Sequence, residues 1–253
     1  MMSKTDFLLL RGLGRDQRHW GEFREMLNSK EYTGSIYALD FPGVGTEADR
    51  DSPVSIGGIV DDLEERFSAL ELKSKPIIVA ISMGAMAALE WMKRNQEAFS
   101  GAILINTSAR NLCSLAERLD LGVLKDIVRL LSVDDLNLRE SFIVNRVSNL
   151  DAETRLRKQA DWTAFANEIH VKKKTWIYQL LAATRFKAPL KFNQKCLFLA
   201  SENDRLVNSV CSKKIAANYG VPCLMHKTAG HDLPMDDPNW LCDRITDFVK
   251  EIS

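Results

Sequence analysis

The chain has 253 residues, 45% apolar and 27% charged, with 34 basic side chains against 34 acidic ones. That length can bury a sizeable core, as one large domain or two small ones. A formal charge of zero offers no global field to draw in nucleic acid or an anionic membrane surface.

No stretch approaches the roughly 20 apolar residues of a membrane span. The N-terminal apolar run Phe7–Leu10 is cut off by Arg11, short of the h-region of about 7 or more residues in a secretory signal. A cytoplasmic protein without membrane insertion is expected. Cys113, Cys196, Cys211, Cys223 and Cys242 are scattered and form no C-x-x-C pair. They read as reduced, mostly buried small hydrophobes rather than a disulfide frame or a zinc site.

In chain order, the β-branched and leucine-rich runs alternate with longer amphipathic stretches. Phe7–Leu10 predicts a strand ending in RGLG, followed by a helix over Asp16–Leu27. Ser35–Leu39 predicts a strand ending in DFPGVG, then a helix over Ser55–Leu70. Pro76–Ile81 runs into SMG and a helix over Met83–Asn95, and Ala102–Ile105 runs into NTSAR. From about Leu112 to Lys187 the period is helical throughout. After it come a strand at Cys196–Ala200, a helix at Ser209–Tyr219, a strand at Pro222–Met225 and a helix at Pro238–Ile252. Asp237–Pro238 suits a helix start, because proline at the first helical position loses no needed hydrogen bond.

This alternation predicts an α/β fold: a mostly parallel sheet of about six strands flanked by helices, with a helical insertion after the fourth strand. Residues 1–111 and 188–253 are expected to form the core and 112–187 a cap or lid. In open sheets of this kind ligands bind at the carboxyl ends of the strands. The polar turns all lie at that edge.

One turn carries reactive chemistry. In Ala80-Ile81-Ser82-Met83-Gly84 a strand, x-S-x-G and a helix follow one another, the pattern of a sharp elbow that holds a serine hydroxyl clear of the backbone. Alanine stands where a first glycine is usual. A serine hydroxyl is a weak nucleophile until a base takes its proton, and that base needs a carboxylate to fix its tautomer. The elbow arrangement predicts the chain order serine, acid, histidine. Asp204 follows CLFLA in SENDRLV, and His231 follows PCLM in KTAGHDLP. Glu202 is the rival acid. Asp232, Asp236 and Asp237 are read as solvated or helix-capping, His226 as ending a strand or meeting solvent, and His19 and His170 as surface or packing residues. Four histidines without H-E-x-x-H spacing give no support for a metal.

The segments LLLRGLG (8–14), LDFPGVG (39–45), VAISMGAMAAL (79–89), LFLASENDRLV (197–207) and AGHDLPMDDP (229–238) resemble the α/β-hydrolase superfamily, in its compact, capped, esterase-like form. The resemblance covers nearly the whole chain outside the cap. It implies Ser82 as nucleophile, His231 as general base and Asp204 as triad acid. The amides of Leu13 and Met83 would form the oxyanion hole. Several positions depart from the family: Arg11-Gly12 replaces histidine-glycine, Ala85 replaces a glycine after the elbow, and Ser201 stands where the acid's strand often ends in glycine. The chain begins near the family's third strand, so the leading hairpin is expected to be missing.

The implied activity is a cofactor-independent serine hydrolase acting on a small ester, thioester or other acyl substrate. A lyase or carbon–carbon bond hydrolase with the same three residues is the alternative, or a ligand receptor with an idle triad. Arg11, Arg110 and Trp176 are candidate substrate contacts; a structural salt bridge competes for Arg110, and apolar packing for Trp162, Phe165 and Trp176. The basic run Lys172–Lys174 reads as a solvated helix face, with docking of an acidic acyl-carrier protein as the sharper reading.

Overall fold

A computed structural model describes residues 4–118, 121–190 and 194–252. Six parallel strands run β1 (Thr5–Leu10), β2 (Thr33–Ala38), β3 (Ile77–Ile81), β4 (Gly101–Ile105), β5 (Cys196–Ser201) and β6 (Cys223–His226), in the spatial order β2-β1-β3-β4-β5-β6. Phe7 lies opposite Ile77 and Leu10 opposite Ala80. Strand order reverses between β1 and β3, because the chain leaves β1 toward β2 and leaves β3 toward β4. A crevice opens at the carboxyl ends of strands at such a reversal.

The central strands are apolar on both faces, as a doubly covered parallel sheet requires. Successive side chains alternate between two cores. Leu8, Leu10, Ile78, Ala80, Leu104 and Phe198 face one side. There they meet Ile59, Val60 and Leu63 of α2 (Ile56–Ser68), Trp91 and Met92 of α3 (Met83–Arg94), and Ile215 of α9 (Val210–Tyr219). Phe7, Leu9, Val79, Ile81, Ile105 and Leu199 face the other side. They meet Phe23 and Leu27 of α1 (Glu22–Asn28) and Leu241, Ile245 and Phe248 of α11 (Pro238–Ile252). Burying one such side chain contributes about 1.5–3 kcal/mol, and a register slip of one residue would exchange the two faces and mismatch both cores.

The expected helix over Asp16–Leu27 is two pieces. A 3-10 turn at Gln17–Trp20 ends at Gly21, whose φ of 48° stops the first helix before α1 begins. A short helix α10 (Leu233–Asp236) precedes α11 and was not expected from the periodicity, being a single turn.

Between β4 and β5 the described residues form helices α4 (Leu115–Arg118), α5 (Leu121–Ser132), α6 (Leu136–Val147), α7 (Ala152–Glu168) and α8 (Lys173–Arg185). Asp135 and Asp151 cap α6 and α7 by accepting from Leu138 N and Thr154 N. This insertion is fastened to the loop after β1. Gly14 N donates to Gln179 Oε1 at 2.7 Å, Arg15 pairs with Glu140 at 2.7 Å with both side chains buried, and Arg18 pairs with Glu168 at 2.8 Å. His19 lies edge-on to Trp162 and Phe165, with ring centroids 4.9 and 5.4 Å away.

Burial lowers the His19 pKa to about 4, outweighing its contacts with Asp16. The folded protein therefore holds a neutral ring where the unfolded chain would bind a proton, and stability is lost as pH falls from about 6.5 toward 4. The contribution of this group reaches about 1.4 kcal/mol per pH unit in that window. Urea unfolding across the window should give a shallower pH slope for His19→Gln than for the native chain; equal slopes would contradict this.

At the start of α3, a Cβ on Gly84 would lie 2.4 Å from Leu10 O and 2.6 Å from Arg11 O, both backbone atoms. Gly84→Ala is expected to cost about 3 kcal/mol or more, since neither carbonyl can move without disturbing β1. An unchanged urea midpoint would contradict the packing described.

Candidate active site

Ser82 follows the last residue of β3 and is the N-cap of α3, with φ 58° and ψ −118°. Positive φ is disfavoured for a side chain with a Cβ and costs of order 1–3 kcal/mol. The surroundings hold it there: Ser82 N donates to Ile105 O at 2.8 Å, and Thr107 Oγ1 donates to Ser82 O at 3.1 Å. A Cβ on Gly12 would lie 3.2 Å from Ser82 Cβ, so the loop after β1 passes directly beside the serine. Among the described residues, the Leu13 amide and the Met83 amide at the start of α3 have no acceptor on the protein.

Asp204 and His231 meet from the loops after β5 and β6. The Asp204 side chain is 1% exposed, and its Oδ2 lies 2.7 Å from His231 Nδ1. Its Oδ1 accepts from Leu206 N at 2.7 Å and Val207 N at 2.9 Å. A carboxylate anchored in this way fixes the ring orientation by accepting from Nδ1 and leaves Nε2 as the free ring nitrogen. Glu202, by contrast, is exposed and pairs with Lys227 at 2.6 Å.

Ser82, His231, Leu13 and Met83 line one cavity of about 200 Å³. Its walls include Leu130, Phe142 and Ile143 from the insertion, together with Trp162 and Trp176. Among the described residues no hydrogen bond joins Ser82 Oγ to His231. Such contacts are commonly long without substrate and shorten when it binds. The arrangement supplies a hydroxyl at a strained turn, a base oriented by a buried carboxylate, and two amides able to receive developing negative charge.

The remaining sequence candidates separate. Trp176 lines the cavity and is also buried. Arg11 lines it too, but its guanidinium is held by both carboxylate oxygens of Asp232 and lies 5.0 Å over the Trp20 ring. Arg110 is exposed and is not part of the lining; Arg118 is. Lys173 and Lys174 pair with Asp134 and Asp51.

Among the other acids and histidines, Asp232 and Asp236 differ from expectation. Asp232 is buried in its pair with Arg11 rather than solvated. Asp236 accepts from Gly230 N at 2.7 Å, Asn149 N at 2.8 Å and Ser148 Oγ at 2.6 Å, which clamps the His231 loop to the end of α6. Burial raises its pKa against these hydrogen bonds. Asp237 does cap α11 through Trp240 N, and it also takes His226 Nε2 at 3.0 Å. His226 ends β6 but is buried. His19 is a packing residue and His170 is exposed.

Asn106 was not singled out in the sequence, yet it joins the two loops. At φ 47° it donates from Nδ2 to His231 O at 2.7 Å and to Ser201 Oγ at 3.1 Å, while its Oδ1 accepts from Ser201 N at 2.8 Å. Its turn NTSAR showed only a polar strand end. Asn106→Ala strands three buried partners and puts alanine at positive φ, so a loss of about 2–4 kcal/mol is expected. A urea midpoint close to that of the native chain would contradict the role given to Asn106.

Comparison with known proteins agrees with the fold. Residues 7–244 match the model of the alpha/beta hydrolase family. The chain is 24% identical over 188 residues to the alpha/beta hydrolase domain-containing protein VTE7 of Arabidopsis thaliana, covering 71% of this chain and 54% of that one. It thus spans about half the length of that curated relative. Among solved structures, a thermophilic esterase from Thermogutta terrifontis superposes with a TM-score of 0.74 at 17% identity, covering 100% of this chain and 92% of the other. BpoC of Mycobacterium tuberculosis, described as a candidate non-heme bromoperoxidase, gives 0.78 at 16% identity, with 100% and 94% covered. A parallel six-stranded sheet with this order, and a family match over nearly its whole length, mean that the chain belongs to the alpha/beta hydrolase family.

Proposed function

We propose that this hydrolase cleaves a carboxylic ester or thioester through Ser82, His231 and Asp204, without a cofactor. The observation that carries the reading is the buried Asp204–His231 pair at 2.7 Å, whose histidine shares one cavity with a serine held at positive φ. A buried carboxylate is costly unless it is paired and hydrogen-bonded. This one orients the sole histidine in the cavity lining.

In the proposed cycle, Ser82 Oγ attacks the carbonyl carbon while His231 Nε2 takes its proton. The carbonyl oxygen, now negative, is received by the amides of Leu13 and Met83; removing one such donor elsewhere costs about 10²- to 10³-fold in rate. The tetrahedral adduct expels the alcohol or thiol, which leaves with the proton from His231. Water, deprotonated by His231, then attacks the acyl-Ser82 ester and releases the acid. The insertion over residues 112–187 acts as the cap of this site and keeps the acyl-enzyme in apolar surroundings. A small-molecule substrate suits the cavity volume of about 200 Å³.

Hydrolysis of a p-nitrophenyl ester series tests this. Ser82→Ala should lower kcat by about 10⁴-fold or more while leaving the urea midpoint nearly unchanged. Native-like turnover by that variant would refute the assignment.

A further inference from the structure

Four arginines line the cavity: Arg11, Arg15, Arg118 and Arg146. Three are neutralised by carboxylates, Arg11 by Asp232, Arg15 by Glu140 and Arg146 by Asp126. Arg118, the last residue of α4, is 6% exposed and has no carboxylate partner among the described residues. Its Nη1 donates to Thr184 O at 2.9 Å, its Nη2 to Ala183 O at 2.7 Å and its Nε to Ser108 Oγ at 3.2 Å.

Those contacts place Arg118 but do not discharge it. The two carbonyls belong to the last turn of α8, whose dipole supplies roughly half a negative charge at most. A guanidinium has five N–H donors. Three have acceptors among the described residues, which leaves one on each terminal nitrogen of a side chain that lines the cavity. Burial also pulls the Arg118 pKa down, the direction expected of a cation short of counter-charge. A buried cation without a partner costs several kcal/mol, which an arriving anion would offset.

Hydrogen bonds on adjacent residues link Arg118 to the serine turn. Ser108, which accepts from Arg118, directly follows Thr107, whose hydroxyl donates to the carbonyl of Ser82. Arg118 therefore sits on the β4 flank of the serine. Much of the remaining lining is apolar, Leu130, Leu131, Phe142, Ile143 and Leu180 among it. Among the described residues Arg118 is the one cavity arginine without a carboxylate partner, and a single positive charge in a largely apolar chamber suits a monoanion better than a phosphate monoester, which would bring a second charge.

We infer that Arg118 selects substrates whose acyl chain ends in a free carboxylate, so that the enzyme cleaves half-esters or half-thioesters of short dicarboxylic acids. The inference rests on the serine-hydrolase reading of the site.

Mono-p-nitrophenyl glutarate and p-nitrophenyl pentanoate, matched in length, provide the test. The native enzyme should favour the glutarate half-ester in kcat/KM by about 10-fold or more, mainly through KM, since a hydrogen-bonded ion pair formed in a cavity is commonly worth one to two decades. Arg118→Met should collapse that ratio to one or below, and Arg118→Lys should restore part of it. Calorimetry with monomethyl glutarate and Ser82→Ala protein reads the anion site without turnover. Binding there that is lost on adding Arg118→Met would support the inference even if no ester is hydrolysed, a result that would sink only the hydrolase reading. Equal loss on both esters in Arg118→Met, or a native enzyme that neither prefers the half-ester nor binds monomethyl glutarate, would overturn it. Tighter competition by inorganic phosphate than by glutarate would overturn the choice of a carboxylate.

Discussion

The turn from β3 into α3 can close only because nothing projects from residue 84 toward the carbonyls of Leu10 and Arg11. That contact sets the distance between the carboxyl ends of β1 and β3, where strand order reverses. With the helix seated against β1, Ser82 is forced to positive φ, its amide is tied to β4 through Ile105, and Gly12 passes beside it. Leu13 and Met83, whose amides have no acceptor among the described residues, line the same cavity as the serine. Strain at Ser82 is held by packing on two neighbouring strands, and the stability of the sheet maintains it.

A second group of contacts brings His231 to that point from the far side of the sheet. Its loop is held from three directions: by Asp204 on the ring, by Asn106 on the carbonyl, and by Asp236 on the preceding amide. Asp232 N donates to Val147 O, which ties the same loop to α6 in the insertion. The insertion is in turn fixed to the loop after β1 by Gln179, Glu140 and Glu168. The helices over the cavity are therefore coupled mechanically to both the serine side and the histidine side. A shift of α6 would be felt at His231 through a backbone hydrogen bond, with no side chain as intermediary.

Much of this was legible in the sequence because it depends on local pattern. Strand ends fell within about two residues, since alternating apolar runs between turn residues leave few registers open. Ser82, Asp204 and His231 stood at strand ends in an order that few folds produce. What escaped depends on partners distant in the chain. Asp232 meets Arg11 across 221 positions, and Arg118 meets carbonyls 65 and 66 positions away. Nothing local marks that aspartate or those arginines as buried. Asn106 looked like a polar strand end because its role lies in the loops after β5 and β6. The single-turn helix α10 and the break at Gly21 lie below the length at which helical periodicity can be read.

The central claim is that Ser82 is activated by His231. Intact-mass analysis after exposure to a fluorophosphonate tests it most directly, because phosphonylation reads the reactivity of the hydroxyl without knowledge of the substrate. One adduct per chain is expected, absent in Ser82→Ala and at least about 100-fold slower in His231→Ala, since general-base assistance of that size is typical. A folded native protein that takes up no probe, or a His231→Ala variant labelled at the native rate, would contradict it.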